Sequence, residues 1–416
     1  MRKFFWLCCT VALASTSMVA QVSSPMTWDQ VRQRFEQNNP TLLAGKLNID
    51  ESKAQEITAH LRPNPDLSLS TDQFNLPGGP LHNCCGTLLT VAGISYLHER
   101  EHKRELRLES AQKGTAIAAL TQSDLERNLL FTIRSAFVQT LQAKAVSALA
   151  KDNLVYYDHV LAISSERYKA GDIAQIDLDR LELQRVQFES DVQTAEVNLR
   201  TAKIQLLMLL NDRTPVEKFD VTGMFDFSDQ LMSLDEFRKI AIDSRPDLRA
   251  AMETVDKAVT DHKLAAANGS TDPTIGFDLG RNPPLDAYVG FSVNIPLRIF
   301  DRNQGEKLRT QLDIDRNKRL LDANRAQVFS DVDSAHAMVN SNLVLLRPYK
   351  QKYLQQAVRV RDTITFSYQH GGASLLEFLN AENDYRSVQL NYVNLVGAYL
   401  ISTSQLNLAV GREVIQ

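Results

Sequence analysis

The residues with the clearest chemical potential are His98-Glu99-Arg100-Glu101-His102, which match the pattern H-E-x-x-H. On a helix, histidines four positions apart share a face and can bind Zn²⁺, while the glutamate activates a metal-bound water. Here the pattern falls among charged residues where a strand pattern gives way to a helix pattern, and no third ligand occurs at a recognised spacing. A zinc metalloprotease is therefore the remotest hypothesis, and we predict no catalytic residue and no metal ligand.

A second group of potential metal ligands is His82, Cys84 and Cys85, in the predicted loop between the first two strands. Imidazole and thiolate suit soft divalent metals. Neighbouring cysteines rarely pair with each other, so they predict no disulfide framework. We interpret them as residues of a surface loop. The chain also lacks a Walker-type glycine loop, a G-x-S-x-G elbow and a dinucleotide fingerprint, so we expect no cofactor.

The N-terminus has the organisation of a secretory signal peptide. Two basic residues precede an apolar stretch from Phe4 to Ala14, and small residues lead to a predicted cleavage after Ala20. We therefore assign residues 1–20 to the signal. A lipid-modified Cys8 or Cys9 is the alternative, although the apolar stretch before either cysteine is short.

Composition limits the remaining possibilities. A chain of 416 residues with only 17 glycines and 13 prolines has little turn material, which favours long, uninterrupted elements. The formal net charge of −4 becomes −6 without the two basic residues of the signal (−4 − 2), which argues against binding to nucleic acid. After the signal, no apolar run reaches the ~18 residues of a spanning helix. The mature chain is therefore periplasmic, secreted or inserted as a β-barrel.

An internal repeat gives the strongest structural signal. A Tyr-x-x-Gly element occurs twice, 200 residues apart (368 − 168), as Tyr168 with Gly171 and as Tyr368 with Gly371. The same offset aligns Glu182 with Glu382. Apolar residues then recur in alternating steps of three and four after both elements, which is typical of a coiled-coil seam. We predict a duplication, with a first repeat at 21–225 and a second at 226–416 that form one intertwined unit.

Each repeat is predicted to contain helix, strand, strand, very long helix, helix and helix. The first helix of each repeat is predicted to open at Pro40 or Pro246 and to end near Pro65 or Pro273. The strands are expected near 67–69, 88–96, 275–279 and 287–295, where apolar and polar residues alternate. Four strands cannot close a barrel, and lipid does not tolerate open sheet edges. The chain must therefore share its barrel with copies of itself, and three copies would supply 12 strands.

The long helices are too polar to lie in a membrane. The first, Glu105 to Ala145, would extend ~60 Å, and its counterpart spans Glu306 to Leu346. We predict a sharp hairpin reversal at Arg347 and Pro348, because proline suits the first turn of a returning helix. A proline kink in an ordinary bundle is the alternative.

One short segment carries a specific family resemblance. The strand-to-helix segment 296–306 is similar, almost residue for residue, to the signature of TolC-type outer-membrane efflux proteins of the heavy-metal (cobalt–zinc–cadmium) branch. The matching residues are Pro296, Phe300, Asp301, Arg302, Asn303, Gln304 and Gly305. Residues 95–104 resemble the first-repeat counterpart, with Glu101 and His102 in place of two glycines. That departure implies a different bend where strand becomes helix.

The resemblance implies a mainly α protein with a small β part. It implies a homotrimer with a helical tunnel through the periplasm and a shared 12-stranded β-barrel in the outer membrane of a Gram-negative bacterium. Its function would be that of a passive exit duct rather than an enzyme. Partners would be outer-membrane lipid, a periplasmic adaptor and an inner-membrane pump of the resistance-nodulation-division class. Substrates would include heavy-metal cations, and Arg347 with Pro348 would contact the adaptor.

A periplasmic adaptor or scaffold is the main alternative, since such proteins also use long helical hairpins. An adaptor would show one hairpin flanked by small β-domains, whereas this chain carries its predicted strands inside a duplication.

Overall fold

The computed structural model describes residues 24–72, 89–282 and 285–415. The predicted signal peptide and the loop with His82, Cys84 and Cys85 lie outside these ranges. Within them the chain is mostly helical, with one four-stranded sheet. None of the helices in this part of the chain combines the length and the apolar character needed to cross a membrane.

The first half contains four helices and two strands, but the predicted order was wrong: two helices rather than one precede the strands, and one helix rather than two follows the long helix. The elements are α1 (Trp28–Asn38), α2 (Pro40–His60), β1 (Asp66–Asp72), β2 (Leu89–Leu97), α3 (Lys103–Ala170) and α4 (Gln175–Leu209), followed by a short 3₁₀ turn (Val216–Lys218). Pro40 opens α2 as predicted, because its missing N–H would have no partner in the first turn. The Asn39 side chain caps the same end by accepting a hydrogen bond from the Leu42 N–H at 3.1 Å.

The second half repeats this order of elements. It contains α5 (Leu234–Ser244), α6 (Pro246–Ala267), β3 (Thr274–Asn282), β4 (Leu285–Asn294), α7 (Gln304–Pro348), a π-helical turn (Tyr349–Tyr353), α8 (Leu354–Gln369) and α9 (Leu375–Val410). Ser233 and Glu236 form a capping box at the start of α5, and Ser374 and Glu377 form another at the start of α9. The repeat boundary at 225/226 stays a prediction.

Two expectations about helix length were wrong. The predicted break after Ala145 does not exist, because α3 continues as one helix of 68 residues, about 100 Å long. Neither glycine nor proline interrupts it there, and its inner face stays apolar through Tyr157 and Val160. The helices expected to end near Pro65 and Pro273 stop earlier, with α2 at His60 and α6 at Ala267.

The four strands form one antiparallel sheet in the order β1-β2-β3-β4. The central β2–β3 pair joins the two halves of the chain, with Ile94 opposite Phe277. The outer edges of β1 and β4 have no strand partner within the described ranges. The number of strands predicted this open sheet, which the described strands of a single chain do not close into a barrel.

The buried side chains form three clusters along the helices. One holds α1 and α2 against α3 and α4 through Phe35, Phe137 and Leu206, and a second packs α5 and α6 against α7 and α9. The third, here called the hairpin-end cluster, consists of Tyr157, Val160, Leu181, Phe188, Tyr368, Leu375 and Phe378. Most positions of the predicted seams on α4 and α9 are buried, which confirms the periodicity from which they were inferred.

Candidate functional site

One face of the sheet is a continuous apolar surface. The register places Leu67, Ile94, Phe277 and Phe291 in one row across the four strands. Their side chains remain 73%, 51%, 51% and 71% exposed in the single chain. A parallel row contains Leu69, Ala92, Leu279 and Val289. Exposed apolar rows of this extent mark a surface that contacts lipid or protein.

The opposite face of the sheet is small and polar. Ser68, Gly93, Asp278 and Gly290 form the corresponding row there. A Cβ atom at Gly93 would collide with the Asp278 carboxylate and the Ser68 hydroxyl, so a larger residue there would displace these two side chains. One apolar face and one polar face are what the wall of a water-filled pore in a bilayer needs.

The segment from Pro296 to Asn303 connects β4 to α7 without helical structure. The Asp301 carboxylate accepts a hydrogen bond from the Asn303 N–H at 2.8 Å, and the Gln304 side chain accepts one from the Arg302 N–H at 2.8 Å. These bonds form a compact turn before the first residue of α7. Phe300 is 91% exposed. Nothing lies within 4 Å of a Cβ at Gly305, so the structure gives no steric reason for glycine there.

Asn303 has a left-handed backbone, with φ of 60°. Asparagine is among the few side chains that tolerate this conformation. Its side-chain amide also donates a hydrogen bond to the Ala265 carbonyl at 2.7 Å, which ties the turn to the end of α6. The signature therefore fixes the angle at which the sheet joins the long helix.

The first-half junction contains two left-handed residues where the second-half junction has one. Glu101 and His102, which stand where the family pattern has glycines, adopt φ values of 55° and 54°. Both side chains carry the steric cost of this conformation, and the expected difference in the bend stays a prediction. The Lys103 side chain stabilises the junction through polar contacts. Its ammonium group is 2.6 Å from the Asp272 carboxylate and 3.1 Å from the Ser270 carbonyl oxygen.

The same geometry removes the basis for a zinc protease. Residues 98–102 precede α3, so His98 and His102 do not share a helix face. The Glu99 carboxylate is engaged by the Arg107 guanidinium instead of facing a metal-bound water. Within the described ranges, no group of three or more His, Cys, Asp or Glu side chains is arranged to hold a metal ion.

The two Tyr-x-x-Gly elements form the turns between paired long helices. Gly171 ends α3 with φ of 85°, and Gly371 follows α8 with φ of 75°. These left-handed angles explain the glycines. The two turns lie together, because the Arg167 guanidinium donates a hydrogen bond to the Tyr368 carbonyl at 2.8 Å. Tyr168 is 38% exposed whereas Tyr368 is 5% exposed, so the repeats are not equivalent here.

The predicted hairpin reversal at Arg347 and Pro348 was wrong. Pro348 has helical angles, with φ of −63° and ψ of −32°, and the chain continues through the π-helical turn into α8. Proline cannot donate the backbone hydrogen bond of an α-helix, and a widened turn accommodates that loss. Arg347 pairs with Asp229 at 2.6 Å, and Lys350 pairs with Asp226 at 2.7 Å. The true reversals are at the two glycine turns.

Sequence reasoning missed one titratable group beside the hairpin-end cluster. Glu382 is 3% exposed, and its Oε1 atom has no hydrogen-bond partner. Burial raises the pKa of this carboxyl to about 7, while Arg361 and Arg386 oppose the rise and Asp362 adds to it. Its repeat counterpart Glu182 is exposed. The alignment of the two residues was visible in the sequence, but their different burial was not.

Comparisons with known proteins agree with this architecture. Residues 238–412 match the family model of outer membrane efflux proteins. The chain is 21% identical to the cobalt-zinc-cadmium resistance protein CzcC of Cupriavidus metallidurans, over 95% of this chain and 94% of that protein. It is 24% identical to the pyoverdine export outer membrane protein OpmQ of Pseudomonas aeruginosa, over 77% of this chain and 69% of that protein.

Solved structures give the same result for the fold. The crystal structure of CusC superposes with a TM-score of 0.79 at 17% identity, covering 94% of this chain and 96% of CusC. The outer membrane protein VceC of Vibrio cholerae superposes with a TM-score of 0.73 at 15% identity, covering 92% and 96% of the two chains. These structures show the fold, while the family match and the similarity to CzcC and OpmQ support a TolC-type outer-membrane efflux protein, an export channel rather than an enzyme.

Proposed function

We propose that three copies of this chain assemble into the exit duct of a tripartite efflux system. The strands of each copy would join edge to edge into a shared 12-stranded barrel, and the long helices would form a tunnel through the periplasm. The observation that carries the proposal is the sheet, which is apolar on one face and, in the part of the chain that the structure describes, unpaired at both edges. Each unpaired backbone group in lipid costs several kcal/mol, so the edges of β1 and β4 need partners.

The glycine turns at Gly171 and Gly371 replace Arg347 and Pro348 as the proposed contact with a periplasmic adaptor. α3 starts at its junction with the sheet and ends at Gly171, about 100 Å away along the helix. Residues 170–172 and 371–372 are exposed, which leaves the backbone of both turns accessible to a second protein. An inner-membrane pump of the resistance-nodulation-division class would supply the energy.

Heavy-metal cations are the proposed cargo. The support is the similarity to CzcC, named for cobalt, zinc and cadmium resistance, and the resemblance of segment 296–306 to that branch. The test is deletion of the gene, followed by growth against Zn²⁺, Co²⁺, Cu⁺ and organic toxins. We expect sensitivity to the cations that the wild-type gene restores. Sensitivity to organic toxins alone would contradict the proposed metal cargo but would remain consistent with the proposed efflux duct.

A pair of neighbouring substitutions tests the orientation of the sheet. Phe291 lies on the apolar face, and Ser292, the next residue in β4, lies on the polar face. Phe291→Lys places a charge against lipid at a cost of up to about 2–4 kcal/mol, whereas Ser292→Lys places the same charge toward the pore. We expect Phe291→Lys to reduce the amount of assembled protein in the outer membrane and Ser292→Lys to leave it near wild type. Equal loss in both variants would contradict the proposed orientation.

A further inference from the structure

A cavity of about 430 Å³ lies where α1 and the C-terminal end of α9 pack against α3. Its position is separate from the sheet and from the glycine turns. Its apolar wall includes Trp28, Leu130, Phe131, Leu400 and Ile415. The charged residues of the lining are four arginines and two glutamates: Arg32, Arg127, Arg134 and Arg412 with Glu126 and Glu413. The cavity is therefore apolar on one side and has an excess of positive charge.

Arg134 is the central cation of this cavity. Its guanidinium lies over the Trp28 ring, with the Cζ atom 4.5 Å from the ring centroid. Burial lowers its pKa, and the negative charges of Glu413 and Asp29 oppose that effect only in part. Among the described residues, no carboxylate lies within ion-pair distance of Arg134. A partly buried guanidinium without a counter-ion is unfavourable, so a bound anion would stabilise it.

Arg127 provides a second donor group. Its side chain is 12% exposed and donates to the Leu408 carbonyl oxygen at 2.7 Å. It also pairs with Asp124 and lies 3.6 Å from Asp247, yet its Nε–H has no partner.

Glu413, the carboxylate with the largest electrostatic effect on Arg134, already has a partner. Glu413 pairs with Arg32 at 3.4 Å, and Arg32 also pairs with Glu36 at 2.8 Å. Among the described residues of the lining, the open donors thus belong to Arg134, to Arg412, which has no ion-pair partner either, and to the Nε–H of Arg127.

We propose that this cavity binds an amphipathic anion. A carboxylate or phosphate group would accept hydrogen bonds from Arg134 and Arg127, since a planar guanidinium matches both groups in a two-point contact. A short alkyl chain would lie on the wall of Leu130, Phe131 and Leu400. The volume falls within the range of small-molecule sites. The bound anion would connect α1, α3 and the C-terminal segment across the two halves of the chain.

Trp28 offers a direct readout. The chain has two tryptophans, and Trp6 lies in the predicted signal peptide, so Trp28 is the one tryptophan of the mature protein. The full-length protein, purified in a neutral maltoside detergent, is titrated with octyl phosphate, octanoate, inorganic phosphate or octanol while Trp28 fluorescence is recorded. We expect saturable binding of at least one octyl anion, binding about tenfold weaker or worse for inorganic phosphate, and none for octanol. The two octyl anions distinguish a phosphate from a carboxylate head group.

Arg134→Gln should weaken binding of the octyl anion about tenfold or more, and Arg134→Lys should retain part of it. Arg359→Gln, at an exposed arginine of α8, is the control and should bind as wild type. The thermal midpoint of each variant without ligand shows whether it is folded. If Arg134→Gln does not fold, the proposal is tested by comparing the binding of octyl anions and octanol to the wild-type protein. Three results would each overturn the proposal. Octanol could bind as tightly as the anions, inorganic phosphate could bind as tightly as octyl phosphate, or a folded Arg134→Gln variant could bind with wild-type affinity.

Discussion

The buried carboxyl of Glu382 should make the stability of the helical tunnel depend on pH. Its side chain is 3% exposed, and burial raises its pKa from an ordinary 4.5 to about 7. The folded protein therefore binds this proton more tightly than the unfolded chain does. The contribution of Glu382 to stability is therefore greatest below pH 4.5, decreases as the pH rises from 4.5 to 7, and stays at the lower level above 7. Glu382→Gln removes the ionisation and keeps the shape of the side chain.

The size of the effect follows from the same two pKa values. A difference of 2.5 units (7 − 4.5) corresponds to at most about 3 kcal/mol per chain above pH 7. Local relaxation and water penetration reduce this figure, so we expect Glu382→Gln to stabilise the protein by about 1–3 kcal/mol at pH 8. At pH 4 the wild type is protonated and the two proteins should be equally stable.

The assay is the thermal midpoint of purified wild type and variant between pH 4 and pH 8. Glu182→Gln is the matched control, because Glu182 occupies the equivalent position of the first repeat and is exposed. The difference between wild type and Glu382→Gln should grow with pH, with its midpoint between 4.5 and 7. Parallel pH profiles for the two proteins, or an equal effect of Glu182→Gln, would refute the assignment of an uncompensated buried carboxyl.

Four further changes test other parts of the structure, three of them by thermal or denaturant unfolding. Glu101→Gly should raise the free energy of unfolding by about 1 kcal/mol, because glycine accepts the left-handed backbone at that position, whereas Glu101→Ala should give no gain. Lys103→Met removes the buried ammonium partner of Asp272, whose side chain is 17% exposed, and should cost about 1–3 kcal/mol, part of which a second substitution, Asp272→Asn, should restore. Phe378→Ala should cost about 3–5 kcal/mol, since this ring is fully buried in the hairpin-end cluster. Glu99→Gln should leave export in the toxin-tolerance assay unchanged, and loss of a proteolytic activity in that variant would contradict the channel function.

The sequence predicted those parts of the fold that depend on periodicity. The seams on α4 and α9 and the alternation in β3 and β4 were correct, because burial of one face imposes a repeat that can be read along one chain. The left-handed positions at Gly171 and Gly371 were also visible as glycines that end long helices.

Features that depend on contacts between distant segments were not predictable in this way. Pro348 was taken for a turn, but the outcome at a proline inside a helix depends on what packs around it. Here Asp226 and Asp229, more than a hundred residues earlier, hold the following turn through Lys350 and Arg347. The burial of Glu382 depends likewise on α3 and α8. The cavity beside Arg134 forms only when α1 and the end of α9 meet on α3.

The proposed assembly of three chains is tested most directly by native mass spectrometry of the protein extracted from the outer membrane. Among the described residues, β1 and β4 have no strand partner on their outer edges. These edges need strands from other copies of the chain, so the proposed duct requires an oligomer. We predict a complex with the mass of three mature chains, and a shift to single chains for Phe291→Lys. A stable monomer of the wild-type protein, extracted intact from the outer membrane, would contradict the shared barrel.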